Sequence, residues 1–298
     1  MKISTALIKE LRDASGAGIL ACREALQAHD GDVAAALGAL RREGQRQAED
    51  KAERETGAGL VVLKTEGDVT AAVHAGCETD FVARTAAFRD FAHRLADKVL
   101  GDPALDTVPA LLDAGFDAAS DKTVAATVRD LVLQLGENVT VDGVARYVEE
   151  PGRVVDGYVH AGAIEGYGAE EGRAGVLVEV RAEDGSTSAV LRALAHDLAL
   201  HIAAANPRYL ARFAIPAGVL AAQREQRQAE LAGDDRPPAI REKIVSGRLR
   251  KWQEGVVLLE QPFVRDPQLT VGEWLAQAGR ELGTAVEVSR FARFATDE

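Results

Sequence analysis

The chain of 298 residues carries 47 Asp and Glu against 35 Lys and Arg, a formal net charge of −12 with a pI near 5.1. That balance excludes a broad electrostatic footprint for DNA or other nucleic acid, and 47% hydrophobic with 28% charged residues describes a globular protein long enough for two modest domains. Two cysteines, Cys22 and Cys77, exclude a disulfide framework and fit reduced thiols in the cytoplasm; no basic-apolar leader opens the chain, and no apolar run nears the ~20 residues that span a bilayer.

Residues 1–44 read as three short helices. Leu7, Ile8 and Leu11 form one apolar stripe, ended by Ser15-Gly16-Ala17-Gly18. Cys22, Ala25 and Leu26 line a second helix that Asp30-Gly31 breaks. Asp32 can cap a third, with Val33, Ala36, Leu37 and Leu40 on one face before Gly44. A bundle this small has a thin core and marginal stability. Its glycine turn lacks a preceding strand and a following Gly-Lys-Ser/Thr, so it is no phosphate loop. Residues 45–57 are charged and carry no stripe to bury, which predicts a solvated linker, helical at most through its Glu and Arg spacings, on which the bundle swings.

From Ala58 the period becomes strand-like. Residues 60–65 and 69–77 flank Glu66-Gly67-Asp68, a hairpin turn. Cys77-Glu78-Thr79-Asp80-Phe81-Val82-Ala83 then marks the passage from strand to helix, because Phe88, Phe91, Leu95 and Val99 recur at helical spacing. Thr79 and Asp80 suit the mouth of a helix, where short oxygen-bearing side chains accept unpaired N–H groups and negative charge meets the positive end of the dipole. A phenylalanine directly beside them is not explained by capping, and an aromatic held outward on a rigid turn is suited to a partner's pocket. Pro103 restarts a helical segment with Leu105, Val108, Leu111 and Leu112. Residues 120–135 supply another, with Val124, Val128, Leu131 and Leu135 inward, and residues 138–149 return to strand.

The second half repeats the first. Residues 154–164 and 174–181 are strand-like, and Leu191-Arg192-Ala193-Leu194-Ala195-His196 echoes Phe88-Arg89-Asp90-Phe91-Ala92-His93. Residues 219–231 and 239–252, separated by a Gly- and Pro-containing break, form an antiparallel helical hairpin. Thr270-Val271-Gly272-Glu273 has the spacing of a capping box for a helix that Gly283 ends, and residues 285–295 alternate as a last strand. The expected fold is α+β: a small helical domain at 1–44, a linker at 45–57, and two related subdomains of antiparallel strands covered by helices, at 58–140 and 141–298, the second with a hairpin insertion at 216–252.

Catalytic chemistry finds no foothold. Among the six histidines none makes the paired arrangement of a zinc-protease helix, and His196 and His201 fall on different faces. Cys77 and His74, three apart on a strand, point to opposite sides. P-loop, dinucleotide and Gly-x-Ser-x-Gly patterns are missing. The expectation is a non-enzyme without metal or cofactor, binding no nucleotide itself.

Cys-Glu-Thr-Asp-Phe-Val-Ala at 77–83 resembles the signature of the elongation factor Ts family, and the stretches at 7–26 (LIKELRDASGAGILACREAL), 198–210 (LALHIAAANPRYL) and 244–271 resemble further motifs of that family in its order. The resemblance implies a ubiquitin-associated-type N-terminal bundle, a coiled-coil protrusion at the hairpin, and a cytoplasmic exchange factor that promotes GDP release from the GTPase elongation factor Tu. Carried over residue by residue, Thr79, Asp80, Phe81 and Val82 would enter beside the GTPase's magnesium site, with Phe81 as a wedge. Arg12, Ile19 and Leu20 would touch the nucleotide domain, although two apolars after a glycine turn suit a bundle core equally well. Leu135, His160, Val264 and Arg265 match other contact positions. Three departures stand out: Asp142-Gly143 in place of a basic pair, a longer loop at 165–172, and no helical tail after residue 298. A second reading remains open, an adaptor that holds its partner without opening its site.

Overall fold

The computed structural model describes residues 3–117, 120–162 and 168–296, so the strand expected to reach residue 164 and the loop from residue 165 fall partly outside the described residues. The chain forms an α+β fold of two compact units, one of residues 1–147, 159–175 and 294–298, the other of residues 148–158 and 176–293.

The first unit opens with α1 (Thr5–Ser15), α2 (Ile19–Ala28) and α3 (Val33–Lys51). Ser4 and Asp32 cap α1 and α3 through their side chains, and Gly16, at φ 72°, ends α1. The bundle core is Leu11, Ala17, Cys22, Leu26, Ala36 and Leu40. The helix expected to stop at Gly44 does not stop, and most of the expected linker is its continuation. Gly44 is buried where α3 meets a later helix: a Cβ there would stand 3.3 Å from Leu133 Cβ. This glycine serves close approach, not termination. Leu133 also covers the bundle core from outside, and Lys51 donates to the Gly136 carbonyl at 2.7 Å. A core too thin to stand alone is thereby completed, and the bundle is docked, not swinging.

β1 (Ala58–Glu66) and β2 (Val69–Cys77) pair antiparallel from Ala58↔Cys77 to Glu66↔Val69, and Gly67 takes the positive φ, 61°, that the turn demands. A four-residue helix α4 (Asp80–Ala83) leads into α5 (Ala86–Gly101), which lays Phe88, Phe91, Ala92, Leu95, Ala96 and Val99 into the core formed with the sheet. Pro103 and Leu105 lie outside any helix; α6 is only Val108–Asp113. The segment from Ser120 starts as strand: β3 (Gly115–Asp117) pairs with β4 (Ser120–Thr123), and α7 (Val124–Leu135) begins where the Thr123 side chain accepts from Ala126. Leu131 and Val132 are buried on α7, while Val128 and Leu135 are half-buried. Next come β5 (Val139–Val148), β6 (Arg153–His160) and β7 (Glu171–Gly172), giving the sheet order β5-β2-β1-β7. Because β5 joins this sheet, the first unit runs past residue 140.

The second unit is built on β8 (Ala174–Ala182) and α8 (Ala189–Ala205). The antiparallel hairpin is present as α9 (Ala217–Ala229) and α10 (Pro238–Val256), held by Arg224 on Glu242, Arg248 on Glu230 at 2.9 Å, and Arg227 over the Trp252 ring at 5.7 Å. β9 (Pro262–Phe263) and β10 (Asp266–Thr270) lead to α11 (Val271–Leu282), which carries the full capping box of Thr270 and Glu273 and ends at Gly283. β11 (Val286–Ala295) completes the sheet order β11-β8-β6.

Candidate functional site

The corner between β2 and α5 is fixed from three directions. The Thr79 Oγ1 accepts the Val82 N–H at 3.4 Å, which starts α4, and donates to Glu137 Oε1 at 2.6 Å. The Thr79 N–H donates to Glu137 Oε2 at 3.0 Å, so one carboxylate grips both groups of one residue. Glu78 in turn accepts the Asn138 N–H at 2.6 Å and pairs with Arg54 at 3.4 Å, and Asn138 Nδ2 donates to the Arg54 carbonyl at 2.9 Å. Glu137 and Asn138 follow the left-handed glycine that ends α7, and their part could not be read from the sequence, because they lie nearly sixty positions from the corner they hold. The spacing of Thr79 to a helix start carried no signal of the partner on its other side.

Two side chains leave this corner outward. Phe81 is 78% exposed, and Asp80 lies at the surface with its carboxylate 2.7 Å from the Arg84 guanidinium, one helical turn on. Val82 does not join them. It turns inward with Ala83 and is part of the core beneath α5, because on so short a helix only one side can face solvent. An outward-facing role for the Val82 side chain is therefore withdrawn. Exposure alone does not single out Phe81, since Phe213 is 88% exposed. The difference lies in the mounting. Phe213 sits on a single 3-10 turn, Arg212–Ala214, without a side-chain cap, whereas Phe81 stands on a capped helix whose inner face is packed.

Cys77, at the foot of the corner, donates to the Thr79 carbonyl at 3.2 Å. Burial, with the nearby Glu137 carboxylate, pushes its thiol up to about 12, so it holds no thiolate at neutral pH and is no nucleophile. Among the described residues no cluster of His, Cys, Asp or Glu is arranged to hold a metal ion, and no helix is long and apolar enough to cross a membrane.

The other sequence-chosen positions scatter over both units. Ile19 and Leu20 are 60% and 57% exposed at the start of α2, so the bundle-core alternative for them is excluded. Arg12 is exposed near the end of α1, 3.9 Å from Asp13. Leu135 is half-buried and lies two residues before Glu137, whose carboxylate clamps Thr79. His160 is exposed at the end of β6. Val264 and Arg265 belong to the second unit: Val264 donates its N–H to His201 Nδ1 at 3.3 Å, and Arg265 pairs with Asp197 at 2.7 Å.

A family model described as Elongation factor TS matches residues 78–298. Along its full length the chain is 37% identical to elongation factor Ts of Rhodospirillum rubrum, 38% to that of Rhizobium rhizogenes and 37% to that of Syntrophotalea carbinolica, covering 93%, 93% and 94% of those proteins. The matched span includes the Thr79 corner, its Glu137 clamp and the whole second unit. With relatives this similar end to end, the chain belongs to the elongation factor Ts family of translation elongation factors.

Proposed function

We propose that the chain binds elongation factor Tu carrying GDP and speeds release of the nucleotide by driving Phe81 and Asp80 beside the GTPase's magnesium site. The observation that carries this reading is an exposed aromatic ring on a corner whose Thr79 is clamped by Glu137 and whose inner face is packed. A GDP-bound Mg²⁺ demands near-octahedral oxygen geometry, so small displacements of its shell cost much of its hold. Packed cores switch between arrangements more readily than they deform, which lets a wedge impose such a displacement. A thousandfold acceleration needs about 4 kcal/mol. Burying one phenylalanine contributes about 1.5–3 kcal/mol, and a charge-assisted contact from Asp80 supplies the rest. By linkage, a factor that weakens GDP binding is itself expelled when nucleotide rebinds, so it turns over.

In this reading Arg12, Ile19 and Leu20 dock on the nucleotide domain, and Leu135, His160, Val264 and Arg265 form outer contacts. The protein acts in the cytoplasm. The test is release of a fluorescent GDP analogue from elongation factor Tu at catalytic amounts of this protein. Wild type should give multiple turnovers. Phe81→Ala should slow release roughly a hundredfold with an unchanged melting temperature. Full exchange by that variant removes the wedge, and stoichiometric binding without turnover by wild type selects the adaptor reading.

A further inference from the structure

Every polar group of Thr79 is engaged. Its carbonyl accepts the Cys77 thiol at 3.2 Å and the Ala83 N–H at 3.2 Å, and its hydroxyl accepts the Val82 N–H. What is left, the hydroxyl proton and the residue's own N–H, goes to Glu137, one to each carboxylate oxygen. Both partners are donors, so the group that receives them must be acceptor-only, which a carboxylate is and an amide is not. The turn that offers this carboxylate is itself tied down on both sides. Lys51 holds the Gly136 carbonyl at 2.7 Å, and the buried Asn138 donates to Glu78 and to the Arg54 carbonyl. Helix α4 cannot aim itself, because four residues make a single turn, too little to be stable by its own hydrogen bonds. Its direction is set by the packing of Val82 and Ala83 beneath it and by the bonds at its mouth.

We propose that Glu137 is a positioning residue for nucleotide exchange, fixing the corner so that Phe81 and Asp80 are aimed before the partner arrives. This rests on the exchange reading above. Glu137 is half-buried and acts through Thr79, two residues before the ring, without touching the GTPase itself. A corner already held in its working geometry loses no further freedom when the wedge goes in. The benefit therefore appears in the release step, where the ring displaces its neighbours, and not in docking, which the rest of the surface supplies.

The experiment measures release of a fluorescent GDP analogue from elongation factor Tu over a range of concentrations of the full chain. Glu137→Gln keeps the size of the side chain but puts a donor where an acceptor is needed. It should lower the release rate at saturation about tenfold, the worth of one charge-assisted hydrogen bond, with the half-saturating concentration within about twofold of wild type. A merely unstable variant does the opposite, since a smaller folded fraction raises the concentration needed and leaves the saturating rate intact. Glu137→Asp, acceptor-only but one methylene shorter, should fall between wild type and Glu137→Gln. In a Phe81→Ala background Glu137→Gln should slow release by less than about threefold more, because the ring it aims is gone. Glu149→Gln, the same loss of charge in the second unit, should leave release unchanged. Amide hydrogen exchange should quicken at Thr79 and Val82 in Glu137→Gln and stay as in wild type along α5. The proposal is overturned by a saturating rate equal to wild type, by a loss without faster amide exchange at the corner, or by the full loss persisting without Phe81, which would make Glu137 a contact in its own right. A full rate in Phe81→Ala, or no turnover in wild type, removes the exchange reading and this proposal with it. A loss in Phe81→Ala beside a full rate in Glu137→Gln removes this proposal alone.

Discussion

Helices α5 and α8 share one buried pattern, and they differ mainly on their polar faces and in the segments that lead into them. Thr85 caps α5 by accepting from Phe88, and Ser188 caps α8 by accepting from Leu191. At a constant offset the buried sets correspond, Phe88, Phe91, Ala92, Leu95, Ala96 and Val99 against Leu191, Leu194, Ala195, Leu198, Ala199 and Ile202. The polar faces diverge. Arg89 and His93 converge on a single carboxylate, Glu171, whose side chain is 2% exposed, with the His93 Nε2 2.8 Å away. Their counterparts Arg192 and His196 separate, one to Glu149 at 2.7 Å and the other to Asp156 at 3.6 Å. The approaches diverge further. The position matching Phe81 is Asp184, in a turn beside Gly185 at φ 74°, with no aromatic and no short helix. One repeated apolar pattern therefore accounts for the packing of both helices, and the proposed working part is the unrepeated turn that leads into α5 alone.

The largest test of that equivalence is in the cores. Leu95→Ala and Leu198→Ala should each cost about 3 kcal/mol, the range for fully buried leucines. Urea unfolding followed by circular dichroism reads both units, while fluorescence of Trp252 and Trp274, both in the second unit, reads that one alone. Costs that differ by more than ~2 kcal/mol would break the comparison.

A smaller effect should expose the divergence. Burial pushes the Glu171 carboxyl up, but Arg89, the Gly168 N–H and His93 outweigh it and hold it below the ordinary range. Burial lifts Asp156, and there the Gly157 N–H and His196 do not overcome it. Glu171→Gln should thus cost about 2 kcal/mol, a figure held down because both partners are partly solvated, whereas Glu149→Gln on the more open pair should cost under ~1 kcal/mol. Equal costs in the same urea assay would mean that convergence on one carboxylate adds nothing.

Much of this was legible because its causes are local. The hairpin turn at Gly67, the capping box at Thr270, the stop at Gly283 and the repeated apolar spacing of α5 and α8 each arise within a few residues. What escaped was set by distant neighbours. Gly44 carries the same letter as a helix stop, and only Leu133 across the crossing gives it another meaning. Ser120–Thr123 is strand because β3 pairs with it, against a helical pattern that begins next door. At the proposed site Thr79, Asp80 and Phe81 could be picked out in one dimension. Their clamp, Glu137, could not, and neither could the inward turn of Val82.

The smallest effect sits where the two helices differ in a single buried position. The counterpart of Lys98 is His201, fully buried, with its Nε2 3.1 Å from Gln261 Oε1 and its Nδ1 accepting from Val264. Gln261 spends its amide N–H groups on the Ala205 and Gly255 carbonyls at 3.0 and 2.8 Å, so its oxygen faces His201 and the imidazole must donate from Nε2 and accept at Nδ1. Burial lowers the His201 pKa against the opposing pull of the Gln261 bond. A histidine depressed in the folded state binds its proton more readily when unfolded, so stability rises with pH across the window and falls as pH drops below about 6.5, by at most ~1.4 kcal/mol per pH unit. Glu171 has the same sign but acts lower, below about pH 4.5, where its ion pair is lost. Between pH 6.5 and 5 the second unit should therefore weaken first, seen as a falling urea midpoint in tryptophan fluorescence. His201→Gln keeps a donor and an acceptor but cannot titrate, and it should flatten that slope. A slope unchanged in the variant would place the proton elsewhere and leave His201 a packing residue like the leucines around it.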